Sequence, residues 1–165
     1  MPKRTSFQFF GYLHHHGFEI CVLQTEIATI YLLQGKTEEA LNLCKQALSL
    51  NAHYLPANLL LARIYLAMGN GTEAEKELLI ADGLGAHRSL ILVPLAKAYL
   101  QQGKNEQLLD ELFPAGTAPE QDSELLTLRG QAHLAIGEIF DAERAFDQAW
   151  RRAPNSQAAL LGRAQ

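Results

Sequence analysis

Apolar, small and glycine positions return along this chain at a fixed interval of 34 residues, with glycines at Gly35, Gly69, Gly103 and Gly137. There are 12 glycines in 165 residues. That is about 7% per position, so three further hits in register arise by chance roughly once in a few thousand. Four residues before each glycine stand Tyr31, Tyr65, Tyr99 and His133, and seven before stand Ala28, Ala62, Ala96 and Gly130. Five after come Ala40, Ala74, Leu108 and Ala142; twelve after come Ala47, Ala81, Ala115 and Ala149. Between these marks the apolar residues keep helical spacing, as Leu43, Cys44, Leu48 and Leu50 do after Gly35. A unit of this length holds two antiparallel helices, A and B, of about fourteen residues each with short turns. The spacing predicts helices over 20–34, 37–50, 54–68, 72–83, 88–102, 105–112, 123–136, 139–152 and 156–164.

Each repeated position has a packing reason. Small residues at Ala28 and its equivalents let helix A approach helix B of the same unit, and Ala40 and Ala47 do the same from helix B. Tyr31, Tyr65 and Tyr99 fill the wedge between neighbouring units, so Tyr65→Ala is expected to cost about 3–5 kcal/mol. Glycine ends helix A because a left-handed residue costs it nothing sterically. Phe146 holds in the fourth unit the place that Cys44 takes in the first, and Pro154 follows where the last helix must stop. This order of a small residue, an aromatic, a turn glycine and two alanines resembles the tetratricopeptide repeat (TPR) family. The resemblance implies an all-α, right-handed solenoid of about four antiparallel helix pairs plus a capping helix.

The expected division is an extension over 1–20, repeats over 21–54, 55–88, 89–122 and 123–156, and a capping helix or fifth repeat over 157–165. The third unit breaks the rule, since Leu108 replaces the first alanine and Pro114 cuts its B helix short. With two prolines and a glycine, 114–122 reads as a loop. The start, Met1–Arg4 followed by Phe7, Phe9, Phe10, Tyr12 and Leu13, is interrupted by Gln8 and Gly11 and lacks the form of a secretory signal. No apolar run reaches the length of a membrane span. Read alone, the chain is cytoplasmic.

Composition narrows the chemistry. The net charge is −4 with no basic block, against nucleic acid or an anionic surface as the main partner. Two cysteines, Cys21 and Cys44, match no zinc spacing and read as small buried hydrophobes. His14, His15 and His16 point different ways on a helix and are poor joint metal ligands. No serine lies in a nucleophile-elbow context, and no phosphate loop or His-Glu-x-x-His is present. His133 replaces the aromatic wedge and reads as an interface histidine. The chain therefore reads as a non-enzyme with no catalytic, metal or cofactor site.

A repeat stack binds through the concave surface lined by its A helices. The inward positions offer Thr25 and Thr29 in the first repeat; Leu59, Arg63 and Leu66 in the second; Val93, Lys97 and Gln101 in the third; and Thr127 and Gln131 in the fourth. Arg63, Lys97 and Gln131 share one position and form a polar row for a protein or peptide partner. Chaperone-binding TPR domains grip a C-terminal carboxylate with Lys, Asn and Arg. The matching places here are Thr25, Thr29, Leu90 and Pro94, which argues against a carboxylate clamp.

A narrower likeness covers roughly 30–165. Ala74–Leu78, Gly85–Ala86, Pro94–Ala96, Gln102–Lys104, Leu108–Leu112, Leu125–Gly137 and Asn155–Ala164 resemble the TPR lipoprotein (PrsT type) of the bacterial exosortase/PEP-CTERM system. It implies a periplasmic, lipid-anchored array beside exopolysaccharide and protein-sorting components, although no lipobox precedes Cys21. Two functions follow: a scaffold binding a peptide or helix of an envelope partner, or a recruiting domain of a larger glycan synthase or glycosyltransferase.

Overall fold

The computed structural model describes residues 5–114 and 118–154, with side chains from residue 17 onward. Among these residues the chain forms eight helices and no strand. They are α1 (Thr5–Leu33), α2 (Thr37–Leu50), α3 (Leu55–Ala67), α4 (Gly71–Gly83), α5 (Arg88–Gln102), α6 (Asn105–Glu111), α7 (Pro119–Ala135) and α8 (Ile139–Arg152). Ala115 and the expected capping helix over 157–165 lie outside the described residues. Successive A helices touch, α1 with α3, α3 with α5 and α5 with α7, whereas among the described residues successive B helices do not. The A helices thus form the tighter, inner wall of the stack.

The four register glycines have φ of 72–84° and close their helices identically. Lys36, Asn70, Lys104 and Glu138 N–H groups donate to the carbonyls of Tyr31, Tyr65, Tyr99 and His133, each at 2.9 Å. Each glycine N–H reaches the carbonyl three residues back, at 3.0–3.1 Å. This double closure satisfies the last carbonyls of the helix and needs a left-handed residue. The alanines behind it are sealed: Ala28, Ala40, Ala47, Ala62, Ala74, Ala81, Ala96, Ala142 and Ala149 are all 0% exposed.

Volume is traded within each unit. Ala28 stands with Cys44, Ala62 with Leu78 and Ala96 with Leu112 in the two main core clusters. In the fourth unit Phe146 takes the B position and Gly130 the A position, where an added Cβ would lie 2.4 Å from the Phe146 ring. A second close approach joins units: a Cβ on Gly71 would fall 2.6 Å from the Ala98 carbonyl oxygen.

Two expectations are corrected. The helix expected to start at residue 20 starts at Thr5, so much of the supposed extension is helical and α1 is 29 residues long. Gly11 costs a helix about 1 kcal/mol, too little to break one of this length. The loop expected over 114–122 ends early, because α7 begins at Pro119. Proline at the first helical turn has no donor to lose, and Glu120 and Asp122 complement the helix dipole. Asp122 is 3% exposed and meets Arg152 Nη1 at 3.3 Å, while the Ser123 hydroxyl donates to the Ala149 carbonyl at 2.9 Å.

Tyr99 alone of the three wedge tyrosines is buried, at 3% exposure; Tyr31 and Tyr65 are half-buried at the edge of their cluster. A lysine ammonium stands over each ring, Lys36 over Tyr31, Lys45 over Tyr65 and Lys104 over Tyr99, at 5.4–5.9 Å.

Candidate partner-binding groove

The A-helix wall sorts the expected groove residues into two sets. Thr25, Val93 and Thr127 are buried and present no surface. The Thr25 hydroxyl donates to the Cys21 carbonyl at 2.8 Å and that of Thr127 to the Ser123 carbonyl at 2.9 Å, both within their own helices. A threonine hydroxyl satisfied one turn back can sit in a core, which composition alone does not reveal. Leu59 and Leu66 are half-buried. Thr29, Arg63, Lys97, Gln101 and Gln131 keep access to solvent, flanked by exposed Leu33, Leu90 and Leu134.

The polar row is not a row of equivalent cations. Lys97 Nζ lies 2.7 Å from Glu124 Oε1, an ion pair joining α5 to α7. Glu124 holds the second position of its repeat, beside the ninth position of the repeat before. At the preceding junction that second position is Leu90, and Arg63 makes no ion pair or hydrogen bond to a side chain among the described residues. The pairing of positions two and nine across repeats is the signal in the sequence that points to this contact. Gln101 also turns inward to the wall: its Nε2 donates to the Leu66 carbonyl at 2.9 Å, across two repeats.

Polar contacts that sequence reading missed hold the wall in shape. Lys104 Nζ and Gln102 Nε2 converge on Glu75 Oε2 at 2.6 and 2.7 Å, tying α4 to the end of α5. Burial pushes the Glu75 carboxyl up, but the hydrogen bonds from Lys104 and Gln102 and the Lys104 charge outweigh it, leaving it below the ordinary glutamate value. Arg129 on α7 donates from Nη1 to the carbonyls of Leu109 and Leu112 at 2.8 and 2.7 Å, and its guanidinium stands 4.7 Å from the Phe113 ring centre. Those carbonyls belong to the end of α6.

Groups with reactive chemistry are occupied or sealed. Cys21 and Cys44 are fully buried. The Cys44 thiol donates to the Ala57 carbonyl at 3.2 Å, and burial, with lesser help from Glu77, pushes it up to about 12. His133 Nδ1 lies 2.7 Å from Glu138 Oε2, and with Asp141 this brings three potential ligand atoms within 4.8 Å of one another. The cluster opens on a cleft of about 280 Å³ lined also by Leu126, Arg129, Arg144 and Gln148. Two guanidinium groups in that cleft repel a cation, and the imidazole already has its carboxylate partner.

The fold is that of a tetratricopeptide-repeat solenoid: helix pairs in a 34-residue register, closed by left-handed glycines, with A helices inward. The tetratricopeptide-repeat family model matches residues 31–82. A structure from a functional characterisation of Pseudomonas aeruginosa pilF is similar with a TM-score of 0.72 and 20% identity, over 90% of this chain and 68% of that one. The first TPR of Spaghetti (RPAP3), solved with an HSP90 peptide, aligns over 87% of this chain and 86% of that one at 18% identity, with a TM-score of 0.41. No curated protein sequence gives a significant match.

Proposed function

We propose that this chain is a non-enzymatic scaffold that captures a peptide or helix along its A-helix wall, with Arg63 as the charged anchor. The observation that supports this is the asymmetry of the groove cations: Lys97 is neutralised by Glu124, whereas Arg63 is exposed, with exposed Leu90 at the matching position of the next repeat. A guanidinium next to an apolar shelf suits a segment pairing an acidic residue with a large apolar one. The sequence resemblance alone suggests where that partner works: in envelope exopolysaccharide or protein-sorting assembly.

The reading is testable with the partner still unidentified. Peptides selected from a displayed random library against the whole chain should be enriched in acidic-apolar pairs, and 0.5 M salt should weaken them, because it screens exposed charges. Arg63→Glu should abolish their capture with helical circular dichroism and Tm unchanged, while Lys97→Ala should have a smaller effect. A folded Arg63→Glu variant that retains the selected peptides would move the binding surface elsewhere.

A further inference from the structure

Helix α1 carries an apolar stripe that no described residue covers. Ile20, Leu23, Ile27 and Ile30 are spaced three and four apart, share one face, and are 44–60% exposed. In every later repeat the positions of Leu23 and Ile30 are docking positions against the preceding unit. The equivalents of Leu23 are Ala57, Ile91 and Leu125, and those of Ile30 are Ile64, Ala98 and Ala132, all at most 5% exposed. The first A helix therefore presents a finished inter-helix face.

The composition of this face indicates what it is built to meet. Each inner docking face includes a fully buried alanine, Ala57, Ala98 or Ala132, which admits the close approach of a neighbouring repeat. The α1 face has none; it consists of three isoleucines and a leucine. Taken as a heptad, Ile20 and Ile27 fall at one core position and Leu23 and Ile30 at the other, an unbroken apolar seam for a second helix. The sequence continues this spacing upstream through His16, Leu13 and Phe9, along a helix about 43 Å long. A repeat neighbour would need only half that length. The exposed side of α8 carries Glu143, Arg144, Asp147 and Arg151 around exposed Phe140, and those charges would lose water beneath isoleucines.

We propose that α1 pairs with α1 of a second copy of this chain in a parallel two-helix seam. Parallel pairing sets Glu19 and Glu26 beside Gln24 and Tyr31 of the second copy; antiparallel pairing sets glutamates against each other. The two groove walls then face away from the seam, giving one assembly with two partner sites.

Sedimentation equilibrium of the whole chain tests this. Wild type should sediment at twice 18.3 kDa at micromolar concentration. Ile20→Glu with Ile27→Glu should sediment as a monomer with helical circular dichroism retained, since both positions are exposed; Ile27→Asn serves if the double variant unfolds. Leu79→Glu, at an exposed site on α4, should stay dimeric. Under oxidant Leu23→Cys should cross-link to itself while wild type, with both cysteines buried, does not. A wild-type monomer at all concentrations overturns the proposal and leaves the stripe to an upstream or partner helix. So does a dimer indifferent to the seam substitutions. A seam-sensitive dimer in which Leu23→Cys fails to cross-link overturns the parallel arrangement.

Discussion

Helices α4 and α6 occupy the same place in successive units and are held by different means. The first is 13 residues long and buries Gly71, Ala74, Leu78 and Ala81 against its neighbours. The second has 7 residues and buries within its span only Leu108, with Leu112 sealed just beyond. What α6 lacks in apolar contact is replaced by hydrogen bonds. The Tyr99 hydroxyl donates to Glu111 Oε2 at 2.9 Å, Gln107 reaches the same hydroxyl at 3.2 Å, and Arg129 closes the C-terminal carbonyls from the next repeat. A regular B helix is self-sufficient once its alanines are covered. A shortened one depends on polar side chains of its own unit and on Arg129 borrowed from the next.

The largest effect expected from that contrast is at the tyrosines. Tyr99→Ala removes a buried ring and the Glu111 bond together and should cost about 3–5 kcal/mol in urea titration. Half-buried Tyr65, at the equivalent position beside α4, should cost clearly less than the register alone implies, and Lys76→Ala, on the exposed side of α4, should be close to neutral. Equal losses at the two tyrosines would mean that the third unit is no more dependent on its polar ties than the second.

Next in size is Arg129→Met, which keeps much of the stem and strands two carbonyls. It should cost about 1–3 kcal/mol. Hydrogen exchange should show the loss concentrated in α6, with α4 amides protected as before; uniform acceleration would contradict the borrowed-cap account. Smaller than either is the Glu75 tie, worth about 1 kcal/mol after allowance for partial exposure of Lys104. Because the Glu75 carboxyl is lowered on folding, its contribution is complete above about pH 4.3 and is lost as pH falls through the lower folded value. The Tm difference between wild type and Glu75→Gln should therefore be constant near neutrality and shrink only in acid. A difference that grows on acidification would reverse the assigned sign.

Much of the helical framework is legible in the periodicity, because periodic packing demands periodic residues. The turn glycines locate the ends of the first, third, fifth and seventh helices to within a residue or two. What repetition does not encode stays hidden. Arg129, Glu75 and Asp122 act across unit boundaries at single junctions, so no second occurrence announces them. Pro119 reads as a breaker yet starts a helix, and Gly11 reads as an interruption yet α1 runs through it. In the groove, Thr25 and Thr127 look like polar surface in the sequence, but back-bonding to their own helices lets the core take them in. Lys97 looks like the twin of Arg63 when one register position is read alone, and Glu124 is found only by reading the second position of the next repeat with it.

The exchange of volume between Gly130 and Phe146 has a consequence for how such an array can be cut and rejoined. The fourth unit is written in a dialect the others do not share: glycine against phenylalanine where they use alanine against cysteine or leucine. A recombination junction falling in the turn between two units keeps each matched pair on one side. A junction inside a unit, joining the first half of the second repeat to the last half of the fourth, would drive the Ala62 methyl into the Phe146 ring. The opposite cross would leave Gly130 facing Leu78 across a void. Exchanging whole hairpins keeps the Gly130–Phe146 pair intact, and exchanging single helices between the fourth unit and the others breaks it.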